Sequence, residues 1–162
     1  MAQPAEASSS KLIEMVEFHL GADAYALELA CVREITPGGT VSKVPKAPDY
    51  VEGVMNLRGQ ILPVVNLRRR LGMKEIPADR NTRIVVISNR GRIVGFVVDR
   101  VEQIVRVPAD RVEPAPVEVV GSLAGYVRGL ARLDKRVLVV LNPDELVDRG
   151  RLGTPESATG RG

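Results

Sequence analysis

The chain has 162 residues, enough for one ordinary domain or two very small ones. Its formal net charge of +3 is modest, and its single Cys rules out an internal disulfide and fits a reducing compartment. Aromatic residues are 3% with no Trp, too few to supply the stacking platforms that most binders of single-stranded nucleic acid use. No run nears the roughly 18 apolar residues of a membrane span, and the N-terminus lacks an apolar stretch of signal-peptide length. The expectation is a soluble, cytoplasmic β-rich protein with no direct membrane insertion, since Val is abundant and favours strands.

Residues 1–10 are mostly Ala, Ser and Pro and are expected to be a disordered N-terminal tail. An ordered domain is expected over 11–148, and a Gly-, Arg- and Ser-rich disordered tail over 149–162. Within the domain, Ile13 to Leu20 alternates, placing Val16, Phe18 and Leu20 on one face and Glu17 and His19 on the other. This predicts a half-buried strand with a solvated polar side. Gly21-Ala22-Asp23 turns the chain, and Tyr25 to Leu29 returns as a second strand. The next stretch, Ala30 to Ile35, fits a helical turn or a strand equally well, and Thr36-Pro37-Gly38-Gly39 breaks it.

Tyr50 to Leu71 is the densest stretch. Two apolar runs, Gly53 to Leu57 and Ile61 to Val65, flank Arg58-Gly59-Gln60, which reads as a hairpin with Gly59 at a positive φ. Arg58 is thereby displayed at or beside a rigid turn. Pro63 has no N–H for a ladder, so its strand is expected at a sheet edge or with a bulge. Asn66 is expected to cap a short basic turn from Leu67 to Leu71, ended by Gly72, with Arg68-Arg69-Arg70 as a solvated face. Beyond the polar connection Met73 to Arg80, Thr82 to Asn89 contains the apolar run IVVI and is expected to be central and buried on both faces. Arg90-Gly91 turns into its partner, Ile93 to Val98, and the run continues to Val105.

The pattern then repeats. A shift of 76 positions lays Tyr50-Val51-Glu52-Gly53 on Tyr126-Val127-Arg128-Gly129, and Ile61 to Asn66 on Val137 to Asn142. A shift of 69 lays Val32 to Ile35 on Val101 to Ile104. The difference is seven extra residues in the Pro-rich loop Val107 to Gly121. Each half is one supersecondary unit packed against its twin. Four or five strands per half predict a mainly β fold with a small barrel for each half and a groove between the two. The pattern leaves open whether a barrel is drawn from one half or the halves exchange strands.

The inventory of reactive groups argues against catalysis. His19 is the only His and falls on the polar face of a strand, where a solvated role is expected. Cys31 has apolar neighbours and reads as a small core residue. No Cys/His cluster suits zinc, and there is no phosphate loop or dinucleotide fingerprint. The expectation is a binding protein with no catalytic residue, cofactor or metal. Arg58-Gly59, which becomes Asp134-Lys135 in the second copy, is a candidate for function because the copies diverge there.

The run from Gly53 to Arg68, GVMNLRGQILPVVNLR, closely resembles the signature of the CheW-like domain family. Val32-Arg33-Glu34-Ile35, Gly95 to Asp99 and Tyr126 to Gly129 resemble its other landmarks, and the resemblance covers about residues 11 to 148. It implies two SH3-like five-stranded β-barrels packed around a hydrophobic centre. It also implies a non-enzymatic adaptor that couples chemoreceptors, the methyl-accepting chemotaxis proteins, to the histidine kinase CheA at membrane-associated receptor arrays. The implied partners are the regulatory domain of CheA and the cytoplasmic tip of the receptors. Val32, Glu34, Arg58, Val101 and Ile104 fall where the family lines a receptor-binding groove, with Glu34 and Arg58 paired across it. Asn56, Leu57, Arg58 and Gly59 form a turn presented to partners. A small β-barrel nucleic-acid-binding protein, contacting phosphates through Arg68 to Arg70, is the alternative. Gliding or pilus motility is a third route for the same scaffold.

Overall fold

The computed structural model describes residues 11–148, so both expected tails lie outside the described residues. Among the described residues, eleven strands follow one another: β1 (Leu12–Leu20), β2 (Asp23–Glu28), β3 (Val32–Thr36), β4 (Val51–Leu57), β5 (Gln60–Asn66), β6 (Arg83–Asn89), β7 (Arg92–Val98), β8 (Arg100–Pro108), β9 (Val112–Glu113), β10 (Val127–Arg132) and β11 (Val137–Leu141). The same residues hold three short helices: α1 (Leu67–Arg70) and α2 (Val117–Val120) between strands, and α3 (Pro143–Asp148) after the last of them. The stretch that fitted a helix or a strand is both: a 3-10 turn over Leu29–Cys31, then β3. The Pro-rich loop holds a 3-10 turn, β9 and α2, which its composition did not announce.

One sheet has the order β3-β6-β7-β5-β4 and is contiguous in sequence. The other has the order β8-β1-β2-β11-β10-β9 and draws on both ends of the domain. The shifts of 69 and 76 map β6, β7, β3, β5 and β4 onto β1, β2, β8, β11 and β10 in the same spatial order. Each repeat has therefore given its first hairpin to the other repeat's barrel. This answers what the sequence pattern left open, since the halves exchange strands. Short links explain the exchange. Only a three-residue 3-10 turn separates β2 from β3, and Asp99 alone separates β7 from β8, so the chain is handed directly to the edge of the opposite barrel. The parallel pairs that join the two repeats within each barrel, Val64 with Gly95 and Val140 with Ala26, occupy equivalent positions. The composite barrel has six strands rather than five. Its extra strand, β9, is the counterpart of a single bridge from Ser42 to Val54 in the contiguous barrel.

Alternation along the strands builds three cores. In β6, Ile84 and Val86 face the interior of the contiguous barrel, while Val85 and Ile87 join a cluster between the barrels, so IVVI is buried on both faces as expected. Phe18, Leu20, Phe96 and Leu141 belong to that central cluster, and Met15, Val107 and Leu138 fill the composite barrel. Burying one such aliphatic side chain contributes about 1.5–3 kcal/mol.

Asn66 caps α1 as expected, its Oδ1 accepting from the Arg69 N–H at 3.0 Å while its Nδ2 donates to Glu52 at 2.8 Å. Pro63 corrects the expectation of an edge strand, because β5 lies between β7 and β4. The missing N–H is tolerated because pairing with β7 begins only at Val64, leaving that side open at Pro63 itself. Bulges do occur, at equivalent places: Arg33 and Glu102 are the extra residues in β3 and β8, and Glu52 and Arg128 in β4 and β10.

Candidate docking site

The Arg58-Gly59 turn is tighter than its sequence indicated. Leu57 pairs with Gln60, and both central residues have positive φ, 53° and 86°, which defines a type I′ hairpin turn. Asn56 braces it, its Oδ1 accepting from the Gly59 N–H at 2.8 Å. The Arg58 side chain is 72% exposed and donates to the Glu34 carboxylate on β3, at the other end of the strand order from β4. An ion pair this exposed contributes little to stability, so its effect is to fix where the guanidinium points. Beside it opens a notch of about 170 Å³ whose lining includes Arg33, Glu34, Leu57 and Arg58, with Leu62 and Val86 as its apolar floor.

Val32, Val101 and Ile104 do not line that notch. Val32, opposite Ile87, and Val101, opposite Phe18, are half-buried against the central cluster at equivalent positions of the two barrels. Ile104 is 55% exposed on β8. Its repeat counterpart, Ile35, is also exposed and was not singled out from sequence, although the shift of 69 pairs the two. The residues expected in one groove thus fall in two features: a charged hairpin tip over a notch, and aliphatic side chains on the edge strands β3 and β8.

Three expectations about polar residues are overturned. Glu17 is fully buried rather than solvated. It accepts from Gln103 at 3.1 Å, from His19 Nε2 at 3.0 Å and from Arg136. His19 is half-buried, and its Nδ1 lies 2.9 Å from Arg100 Nη2. A guanidinium only donates, so Nδ1 accepts and Nε2 carries the proton given to Glu17. Burial alone would raise the Glu17 pKa, but Arg136, His19 and Gln103 together pull it down to about 2. The repeat held the missed signal, since the shift of 69 lays Glu17 on buried Val86.

Arg68, Arg69 and Arg70 are likewise not a solvated face. Arg68 binds Asp99 through two bonds of 2.9 and 2.7 Å, and Asp99 also accepts from the Gly21 N–H at 2.6 Å. Burial would raise the Asp99 carboxyl pKa, yet Arg68 and Gly21 hold it below the ordinary range. Arg69 binds Glu75 and the Asp49 carbonyl. Arg70 is buried between Tyr50 and Tyr126, 4.3 and 5.3 Å from their ring centroids.

Cys31 is half-buried against the central cluster, and burial pushes its thiol pKa up to about 11, so it is protonated at neutral pH. Among the described residues, no three His, Cys, Asp or Glu side chains are grouped to hold a metal ion, and no helix is long and apolar enough to cross a membrane.

The comparisons with known proteins agree with this architecture. The model of the CheW-like domain matches residues 14–151, and the chain belongs to that family. It is 33% identical to the chemotaxis protein CheW of Klebsiella aerogenes, over 83% of this chain and 81% of that one. It is 35% identical to the probable chemotaxis protein CheW of Rhizobium etli, over 82% and 86%. Its fold is that of the scaffolding protein TtCheW from Thermoanaerobacter tengcongensis, with a TM-score of 0.80 and 28% identity over 85% of this chain and 94% of that one. The two barrels are SH3-like.

Proposed function

We propose that the chain is a non-enzymatic chemotaxis adaptor that couples chemoreceptors to the histidine kinase CheA. Its partners on this reading are the receptor's helical tip and the CheA regulatory domain, and its place is the membrane-associated receptor array. The observation that carries the proposal is the Arg58 tip, an exposed guanidinium held by Glu34 over a notch with an apolar floor. A fixed, forked donor beside an apolar recess suits a helical partner that offers an apolar side chain and an acceptor. Modest affinity at each contact is enough, because an array multiplies weak interfaces.

The test is Arg58→Ala in a reconstituted system of receptor, kinase and adaptor. The unfolding midpoint is expected to stay at the wild-type value while receptor control of the kinase is lost. Full receptor-dependent activation by the purified variant would refute the role of Arg58. The nucleic-acid reading required Arg68 to Arg70 to face outward, and their engagement with Asp99, Glu75 and the two tyrosines removes its basis.

A further inference from the structure

The two barrels share five strands in the same spatial order, and their side chains differ in kind at one equivalent place. The contiguous barrel has its notch beside Arg58, floored by Val86 and lined by Glu34 and Gln60. The repeat shifts put Glu17, Gln103 and Arg136 at the positions of Val86, Glu34 and Gln60. In the composite barrel Gln103 and Arg136 both donate to Glu17, so the same place is knotted by a fully buried carboxylate. The knot ties together β1 through Glu17, β8 through Gln103, and the turn before β11 through Arg136.

The consequence falls on β8. Among the described residues it is an edge strand that pairs with β1 alone, and the pairing is interrupted at the Glu102 bulge, between Val101 and Gln103. An edge strand has no ladder partner on one side, and a bulge leaves a residue of the ladder unpaired, so side-chain bonds add constraint there. Glu17 grips it at the bulge through Gln103, and His19 extends the grip to Arg100 on the other side of Val101. β3, the equivalent edge strand, has its own pin in the Glu34–Arg58 pair, which is exposed rather than buried.

We infer that Glu17 is a positioning residue, fixing through Gln103 and His19 where β8 presents Val101 and Ile104 to the receptor's helical tip. The inference rests on the adaptor reading, with Val101 and Ile104 as contacts. It also assigns the two edge strands separate supports, so that the β8 surface is tunable without touching Arg58.

The experiment compares wild type, Glu17→Val and Gln103→Leu. Glu17→Val installs the residue that the other barrel has at this place, and Gln103→Leu cuts one leg of the knot from the surface. Binding of a soluble receptor-tip hairpin and of the CheA regulatory domain is measured by calorimetry, and backbone amide exchange is followed by NMR. The expected result is a loss of about fivefold or more in affinity for the receptor tip, the low end for coupling through an intermediate element. The β8 amides should exchange faster, those of β3 should be unchanged, and binding to the kinase domain should be retained. If Glu17→Val does not fold, Gln103→Leu carries the same expectation. Wild-type receptor affinity with unaltered β8 protection in the folded variants would overturn the inference. Failure of the wild-type protein to bind the receptor tip would instead overturn the adaptor reading beneath it.

Discussion

Gly53 gives the sharpest test of the packing. It follows the bulge in β4, has φ +148°, and is crossed by the Ser42 segment, which exchanges two 2.8 Å hydrogen bonds with Val54. A Cβ added there would lie 2.1 Å from the Ser42 carbonyl oxygen and 2.7 Å from its carbon. Both are backbone atoms, so the segment must shift by about 1 Å to restore an ordinary contact. Two other glycines separate the contributions. At Gly59, φ is +86° and a Cβ meets nothing within 4 Å, so Gly59→Ala carries backbone strain alone, about 1 kcal/mol. At Gly129, the repeat counterpart of Gly53, a Cβ would sit 2.5 Å from the Glu113 carbonyl oxygen, and Gly129→Ala carries overpacking, about 2 kcal/mol. Gly53→Ala combines both and threatens the Ser42–Val54 bonds, for about 4 kcal/mol. The entropy that Ala removes from the unfolded chain is common to all three and cancels in the differences. Urea unfolding at constant m-value gives the comparison. A Gly53→Ala loss no larger than that of Gly59→Ala would refute the close approach of the Ser42 segment.

Two further outcomes follow from polar contacts. Glu17 has a folded pKa of about 2 against an ordinary 4.5, so it stabilises the fold above the unfolded pKa and that stability drains away as pH falls through the folded value. Between pH 7 and pH 3 the wild type should lose about 2 kcal/mol more than Glu17→Gln, and parallel losses in urea melts would contradict the buried network. Asn66→Ala removes the α1 cap and the bond to Glu52 and should cost about 1–2 kcal/mol in the same melts, whereas a neutral result would mean that neither bond matters in solution.

What the sequence made legible was local. The IVVI run, the Asn66 cap and the Arg58-Gly59 turn were readable because alternation, capping and turn chemistry act over a few residues. The repeat was readable too, and it located the second hairpin-and-helix unit. The exchange of hairpins was not, because the repeat tells which strands are equivalent and not which copy each one joins. Glu17 misled for a related reason. Strand periodicity placed it opposite Phe18 but could not say that Arg136, 119 residues away, would cover that face. Arg68 and Arg69 looked solvated by the same logic, since Asp99 and Glu75 come to them only through the fold. Part of the candidate site was visible, with Arg58 and Glu34 meeting as expected. Its division into a notch and an aliphatic surface required knowing that β3 and β8 belong to different barrels.

The most direct measurement is kinase activity in a reconstituted mixture of receptor and CheA, with this protein as the added component. If it is the adaptor, phosphorylation becomes high and responsive to receptor ligand only when it is present, and the response saturates as its concentration rises. Kinase activity that is equally responsive without it, or unresponsive at saturating amounts of it, would contradict the assignment.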